Sequence, residues 1–192
     1  DEWLFRNKET SVITLNLGGI ANVSFLPSKS NDDIIGFDTG PGMSLLDEAY
    51  LRMFKDGFDD NGNEALKGNV DRELVSTWLN QSYFIQGPPK STGRDQFGLN
   101  WLNTYIKNID KHNFEDQLAT LSYFTAKSVF LGCEGFINDY NVSRLIVSGG
   151  GAHHMCIMKF LKDLFNPIQV LPSSKLDISI DSKEALGFAI FA

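Results

Sequence analysis

Apolar and polar residues alternate in short runs over the first forty positions. Val12–Leu17, Asn22–Leu26 and Ile34–Phe37 each carry β-branched or aromatic residues. They are separated by Gly18-Gly19 and by the polar turn Ser28–Asp33. That pattern predicts three strands in an antiparallel meander, the third ending at Asp38, with Thr39-Gly40-Pro41-Gly42 as a turn. From Met43 to Phe54 the period changes: Leu45, Leu46, Ala49, Tyr50 and Met53 recur at helical spacing. Asp56–Gly62 reads as a loop and Glu64–Asn80 as a helix. Gln86-Gly87-Pro88-Pro89 must interrupt regular structure, because prolines oppose a helix. Helices are expected again over Asp95–Ile109 and Phe114–Ile137, the second apolar on several sides and therefore a core helix. The last third predicts a strand over Arg144–Val147, a helix over Met155–Leu164, a strand over Ile168–Leu171 and a closing helix over Asp181–Ala192. A meander, then helices, then strand–helix–strand–helix, is the order of a mixed α/β layer fold.

Composition narrows the classes. The 192 residues suffice for one domain with a sizeable core, and 42% hydrophobic with 21% charged residues fits a globular chain. A net charge of −7, with 17 scattered basic residues, argues against a nucleic-acid footprint. No apolar run approaches a membrane span, and no signal-peptide pattern follows Asp1-Glu2-Trp3. The two cysteines, Cys133 and Cys156, lack metal or redox spacing and read as reduced structural thiols of a cytoplasmic protein. Opening at Asp1, just ahead of a strand, the sequence reads as a piece cut at a lobe boundary.

Chemistry concentrates at turns. Gly18-Gly19, Gly40-Pro41-Gly42 and Gly149-Gly150-Gly151 each follow a predicted strand. Glycine permits positive φ and close approach of a ligand to the backbone, and exposed N–H groups at such turns bind anions. Tight turns alone would also use glycine. Neither a Walker A motif nor GxGxxG occurs, so P-loop and Rossmann folds lack support. Asp38, at a strand end in a glycine-bounded turn, could serve as a general base, or merely accept from the following backbone in an Asx turn.

Taken in order, Asn16-Leu17-Gly18-Gly19-Ile20-Ala21-Asn22, Gly36-Phe37-Asp38-Thr39-Gly40-Pro41-Gly42, Pro88-Pro89-Lys90-Ser91-Thr92-Gly93-Arg94, Ser148-Gly149-Gly150-Gly151 and Asp181-x-x-Glu184-Ala185-x-Gly187-Phe188-Ala189 closely resemble the anhydro-N-acetylmuramic acid kinase family, over nearly the whole chain. The resemblance implies a ribonuclease-H-like lobe of the two-lobed fold of actin, hexokinase and Hsp70, with ATP and Mg²⁺ held between lobes. It implies hydrolytic opening of the 1,6-anhydro ring of anhydro-N-acetylmuramic acid and phosphorylation of O6, in cytoplasmic peptidoglycan recycling. Matched position by position, Asp38 is the expected catalytic base. Gly18 and Gly19 form the second phosphate loop, and Gly149, Gly150 and Gly151 the adenosine loop. Asn22, Thr39, Gly40, Lys90, Ser91, Arg94 and Glu184 fall on the sugar side.

Plainer roles stay open for several of these. Glu184 has capping-box spacing from Asp181, Ser91 or Thr92 could cap a helix, and Arg94 could pair with acidic neighbours. His153 and His154 are expected at the surface or the adenine rim, not on a metal. The sequence also departs from the family pattern, with Met43 and His154 where asparagine is usual. The family's first phosphate loop, Gly-Thr-Ser-x-Asp-Gly, does not occur in it. The chain is therefore expected to be a C-terminal lobe lacking its N-terminal partner lobe. The alternative is a non-catalytic half-protein that binds sugar or nucleotide. An exposed interlobe face predicts self-association, in its simplest form a homodimer.

Overall fold

The computed structural model describes residues 1–29 and 31–180; the expected closing helix, with Glu184, lies outside the described residues. A short helix α1 (Glu2–Phe5) precedes β1 (Ser11–Leu17), β2 (Ile20–Leu26) and β3 (Ile35–Pro41). Then come α2 (Ser44–Phe54), α3 (Arg72–Leu79), α4 (Ser82–Ile85), α5 (Leu99–Ile109) and α6 (Phe114–Asp139). β4 (Val142–Ser148), α7 (Met155–Phe165) and β5 (Gln169–Pro172) follow.

The five strands form one sheet in the order β3-β2-β1-β4-β5. β1, β2 and β3 pair antiparallel, as the meander predicts, while β4 lies parallel to β1 and β5 parallel to β4. The central strand β1 is apolar at successive positions because both its faces are covered. Ile13, Leu15 and Leu17 face the main core with Val23, Phe25, Leu145 and Val147. Val12 points the other way, into a second cluster with Phe5, Leu26 and Ile146. Through the main core runs α6, whose Leu118, Leu121, Phe124, Val129 and Cys133 are all at most 1% exposed. Burial pushes the Cys133 thiol up to about 12 and the Cys156 thiol to about 11, so both stay protonated and unreactive. Among the described residues no helix is long and apolar enough to cross a membrane.

Three of the departures from the sequence-based expectation have a tertiary reason. The helix expected over Glu64–Asn80 is broken. A short turn at Ala65–Lys67 gives way to an extended strip, and α3 starts only at Arg72, where Asp71 caps it by accepting from the Leu74 N–H at 2.9 Å. Gly68 lies against the first turn of α6 so closely that a Cβ there would sit 2.0 Å from the Glu115 carbonyl oxygen. The helix expected from Asp95 begins at Leu99, because Gln96 and Phe97 turn back to the Gly93 carbonyl. The third strand does not stop at Asp38 but runs to Pro41, its last residues pairing with Ala21 and Ile20.

Gly42 joins sheet to helix. Its N–H donates to Gly19, and a Cβ there would fall 2.2 Å from the Gly18 carbonyl oxygen, against backbone that cannot yield. Gly42→Ala should therefore lower stability to urea by roughly 1–3 kcal/mol. Gly135→Ala, on α6 with nothing within 4 Å of the new methyl among the described residues, should raise it by about 0.5–1 kcal/mol. Shifts of the same sign in both variants would refute this packing account.

Candidate functional site

A β-bulge sets the Asp38 carboxylate. Asn22 pairs with Asp38, and Ala21 with Gly40, so Thr39 is the extra residue in β3. Bulges re-aim the side chains beside them. Asn22 Nδ2 donates to Asp38 Oδ1 at 2.9 Å; Ser91 Oγ and the Thr92 N–H both donate to Oδ2 at 2.9 Å. Three of about four acceptor positions of the carboxylate are thus filled, which leaves one for a further donor. The backbone is pinned as well. The Asp38 N–H donates to the Lys90 carbonyl at 3.0 Å, and the Tyr83 hydroxyl donates to the Asp38 carbonyl at 2.7 Å. Burial first, and then the Asp38 charge, push the Tyr83 phenol above its ordinary value, so it remains a proton donor.

A cavity of about 790 Å³ opens over the ends of β1 and β4, and Arg94, two residues beyond Thr92, is among its lining residues. Gly18 and Gly19 form its floor on one side, Gly150 and Gly151 on the other, and α2 with the 57–61 loop walls it. The glycines of the second turn differ in what they do. Gly149 has φ +82°, and a Cβ there would meet Asn16 Oδ1 at 2.6 Å; at Gly151 it would meet the Leu17 side chain at 2.5 Å. Those two allow β4 to end against β1. A Cβ added at Gly150 would meet nothing within 4 Å among the described residues, so the missing side chain serves no packing need there and leaves room in the cavity.

The far wall is held by a buried pair. His154 and Asp59 side chains are each 2% exposed, with Nε2 3.6 Å from Oδ2. Asp59 also accepts from the N–H groups of Glu64 at 2.8 Å and Ala65 at 3.0 Å. Burial would raise the Asp59 carboxyl, but His154 and those two N–H groups prevail and hold it below the ordinary carboxylate range. His154 Nδ1 accepts from the Ile157 N–H at 3.3 Å and caps α7. Asparagine is a preferred residue at that position of a helix, and the imidazole supplies an equivalent acceptor. Of the two sites expected for His154, the surface one is corrected: it is a buried structural cap that forms part of the cavity lining. His153, exposed, lines the cavity itself.

The structure divides the other expected site residues. Asn22, Ser91 and Asp38 converge as described. Thr39 faces inward: it is 1% exposed, its hydroxyl donates to the Ala21 carbonyl, and its methyl packs on α6 at Gly132. Gly40, at φ +144°, is pressed by the Phe84 ring and Ser128, which accounts for the glycine by packing. Lys90 is an internal strut whose Nζ donates to the Tyr83 carbonyl at 2.9 Å and lies 4.6 Å from the Tyr83 ring centre. Burial holds this ammonium below its ordinary value. Arg94 lines the glycine-floored cavity, which Asp38 does not. Sequence reasoning missed the cavity's carboxylates Asp47 and Asp59 and the exposed ring of Phe58. Asp47, three residues after the first residue of α2, carried a signal in its helical spacing toward Ser44.

Sheet order, two glycine turns at neighbouring strand ends and a carboxylate on the third strand define a ribonuclease-H-like lobe of the actin, hexokinase and Hsp70 class. Solved structures with this fold include the activator of the 2-hydroxyisocaproyl-CoA dehydratase from Clostridium difficile with bound ADPNP. It matches all of this chain and 62% of its own, with a TM-score of 0.57 and 14% identity. Component A of the Acidaminococcus fermentans (R)-2-hydroxyglutaryl-CoA dehydratase matches 95% of this chain and 61% of its own, with a TM-score of 0.56 and 12% identity. The model of the anhydro-N-acetylmuramic acid kinase family matches residues 1–192, and the chain belongs to that family. The anhydro-N-acetylmuramic acid kinase of Clostridioides difficile is 38% identical over 97% of this chain and 49% of its own length. That of Coxiella burnetii (strain RSA 493 / Nine Mile phase I) is 41% identical over the whole chain and 50% of its own length. The chain thus spans about half the length of the curated relatives it matches.

A carboxylate held below its unfolded value contributes stability that is complete above that value and lost as the pH falls through the folded one. For Asp59 the loss should set in below its ordinary 3.8. Asp59→Asn should destabilise the protein at neutral pH and flatten the decline below pH 3.8 in urea titrations run from pH 7 to 2.5. An unchanged acid limb would show that Asp59 is not its source.

Proposed function

We propose that the protein carrying this chain is an ATP-dependent kinase. It opens the 1,6-anhydro ring of anhydro-N-acetylmuramic acid with water and transfers the γ-phosphoryl group to O6, yielding N-acetylmuramic acid 6-phosphate and ADP. In this reading residues 1–192 are the C-terminal lobe, and an N-terminal lobe brings the first phosphate loop. The setting is cytoplasmic peptidoglycan recycling.

The observation that carries the reading is the Asp38 carboxylate, fixed by three donors with one acceptor position left, in a lobe whose cavity is floored by two glycine turns. A water placed at that position would pass its proton to Asp38 as its oxygen bonds to the anomeric carbon. The bond from that carbon to O6 breaks, and O6 takes the phosphoryl group. Holding the base rigid is the protein's main contribution to the first half, and holding the phosphates in line its contribution to the second. ATP would lie with its adenosine over Gly150 and its phosphates toward Gly18 and Gly19. Magnesium travels with nucleotide phosphates and needs few protein ligands. Among the described residues no group of three His, Cys, Asp or Glu could hold a metal ion, so none is assigned to it.

Phosphate transfer to anhydro-N-acetylmuramic acid, assayed with ATP and Mg²⁺ in the longest polypeptide carrying this sequence, should be detectable. Asp38→Asn should lower kcat by roughly 10²–10⁴-fold, the range of a general base, with substrate binding little changed. Retained sugar and nucleotide binding without turnover in the parent protein would favour a non-catalytic binding module instead. Gly150→Leu should leave the melting temperature unchanged while weakening ATP binding; equal ATP affinity would move the adenosine away from this turn.

A further inference from the structure

We infer that Arg94 is the phosphate-binding cation of this lobe, resting on the nucleotide reading above. Its guanidinium lies on the Gly18-Gly19 hairpin: a Cβ added at Gly19 would fall 2.7 Å from both Arg94 Nε and Nη2. A side chain at position 19 would have to push the arginine off the hairpin. Among the described residues lining the cavity, Arg94 is the sole lysine or arginine, whereas Asp47, Glu48, Asp59 and Asp60 are acidic. A polyphosphate entering such a cavity needs a positive partner.

The helix that points at the cavity does not supply that partner. The N–H groups of Gly42, Met43 and Ser44, at the start of α2, donate to the carbonyls of Gly19, Gly18 and Gly19 at 2.9, 2.8 and 3.1 Å. The positive end of α2 is thus occupied by the hairpin. Arg94 itself is uncommitted: among the described residues no hydrogen bond or ion pair anchors its guanidinium, and the carboxylate acting on it electrostatically is that of Asp47. An exposed arginine with a planar fork of donors suits phosphate oxygens.

Its place in the chain adds a second constraint. Arg94 follows Thr92, whose N–H holds Asp38 Oδ2, by two residues. One short segment therefore carries both a support of the proposed base and the cation. Their separation is set by that segment. A charge so placed would act where negative charge accumulates during transfer.

Isothermal titration of adenosine, ADP, ATP and anhydro-N-acetylmuramic acid into the longest polypeptide carrying this sequence tests the assignment. Arg94→Gln should weaken ADP and ATP binding at least tenfold, leave adenosine and the sugar unchanged, and keep the wild-type melting temperature. Arg94→Lys should recover part of the ATP affinity. Equal ATP affinity in Arg94→Gln overturns the inference, as does a loss of adenosine and ATP binding by the same factor. Loss of sugar binding alone would also overturn it, by assigning Arg94 to the sugar. A wild-type protein that binds none of the nucleotides would sink the nucleotide reading itself, and this inference with it.

Discussion

The carbonyl oxygens of Gly18 and Gly19 accept the N–H groups that open α2, and the rest of the site is arranged around that junction. It converts a β-hairpin turn, ordinarily a mobile surface feature, into a fixed ledge. Both partners gain: the hairpin carbonyls find donors, and a helix start that would leave orphan N–H groups is satisfied without a side-chain cap. The close approach needs Gly42, since any Cβ would intrude on the Gly18 carbonyl. With the ledge fixed, Arg94 has a flat surface to lie on and the cavity has a floor.

A parallel economy governs the carboxylate side. The bulge that inserts Thr39 into β3 sends that residue into the core and brings Asp38 opposite Asn22. The 83–92 segment then closes over Asp38 from the other edge, with Tyr83 on its carbonyl, Lys90 on its N–H, and Ser91 and Thr92 on its side chain. Backbone and carboxylate are both tied, so the group is held by more constraints than its two side-chain torsions require. Lys90, conspicuous in sequence as a charge in a binding motif, proves to brace this segment through Tyr83.

These two assemblies share elements, not merely proximity. β2 runs from the glycine hairpin to Asn22, and the 90–94 segment runs from the Asp38 support to the arginine on the hairpin. A rigid sheet with helices packed on it supplies the frame, and loops at its strand ends supply the chemistry, which is the usual division of labour in α/β folds. The His154–Asp59 pair extends the frame outward by tying the 57–62 loop to the start of α7.

Much of this was legible in the residues alone. Alternation marked β1 to β3, helical spacing marked α2, α6 and α7, and the glycine turns and Asp38 stood out because their chemistry is local. The Ala65–Lys67 break, the late start of α5 and the extension of β3 were not legible, because contacts from distant segments decided them. Nor could spacing tell that Thr39 and Gly40 face the core, that His154 is buried on Asp59, or that Arg94 leans on Gly19. Sequence by itself determined the periodicities, the turns and the identity of the charged groups, since these depend on neighbours a few positions apart. Only the tertiary structure decided which of those groups face the cavity and which became struts. Side-chain direction near a bulge or a chain crossing is set by packing between elements far apart in sequence.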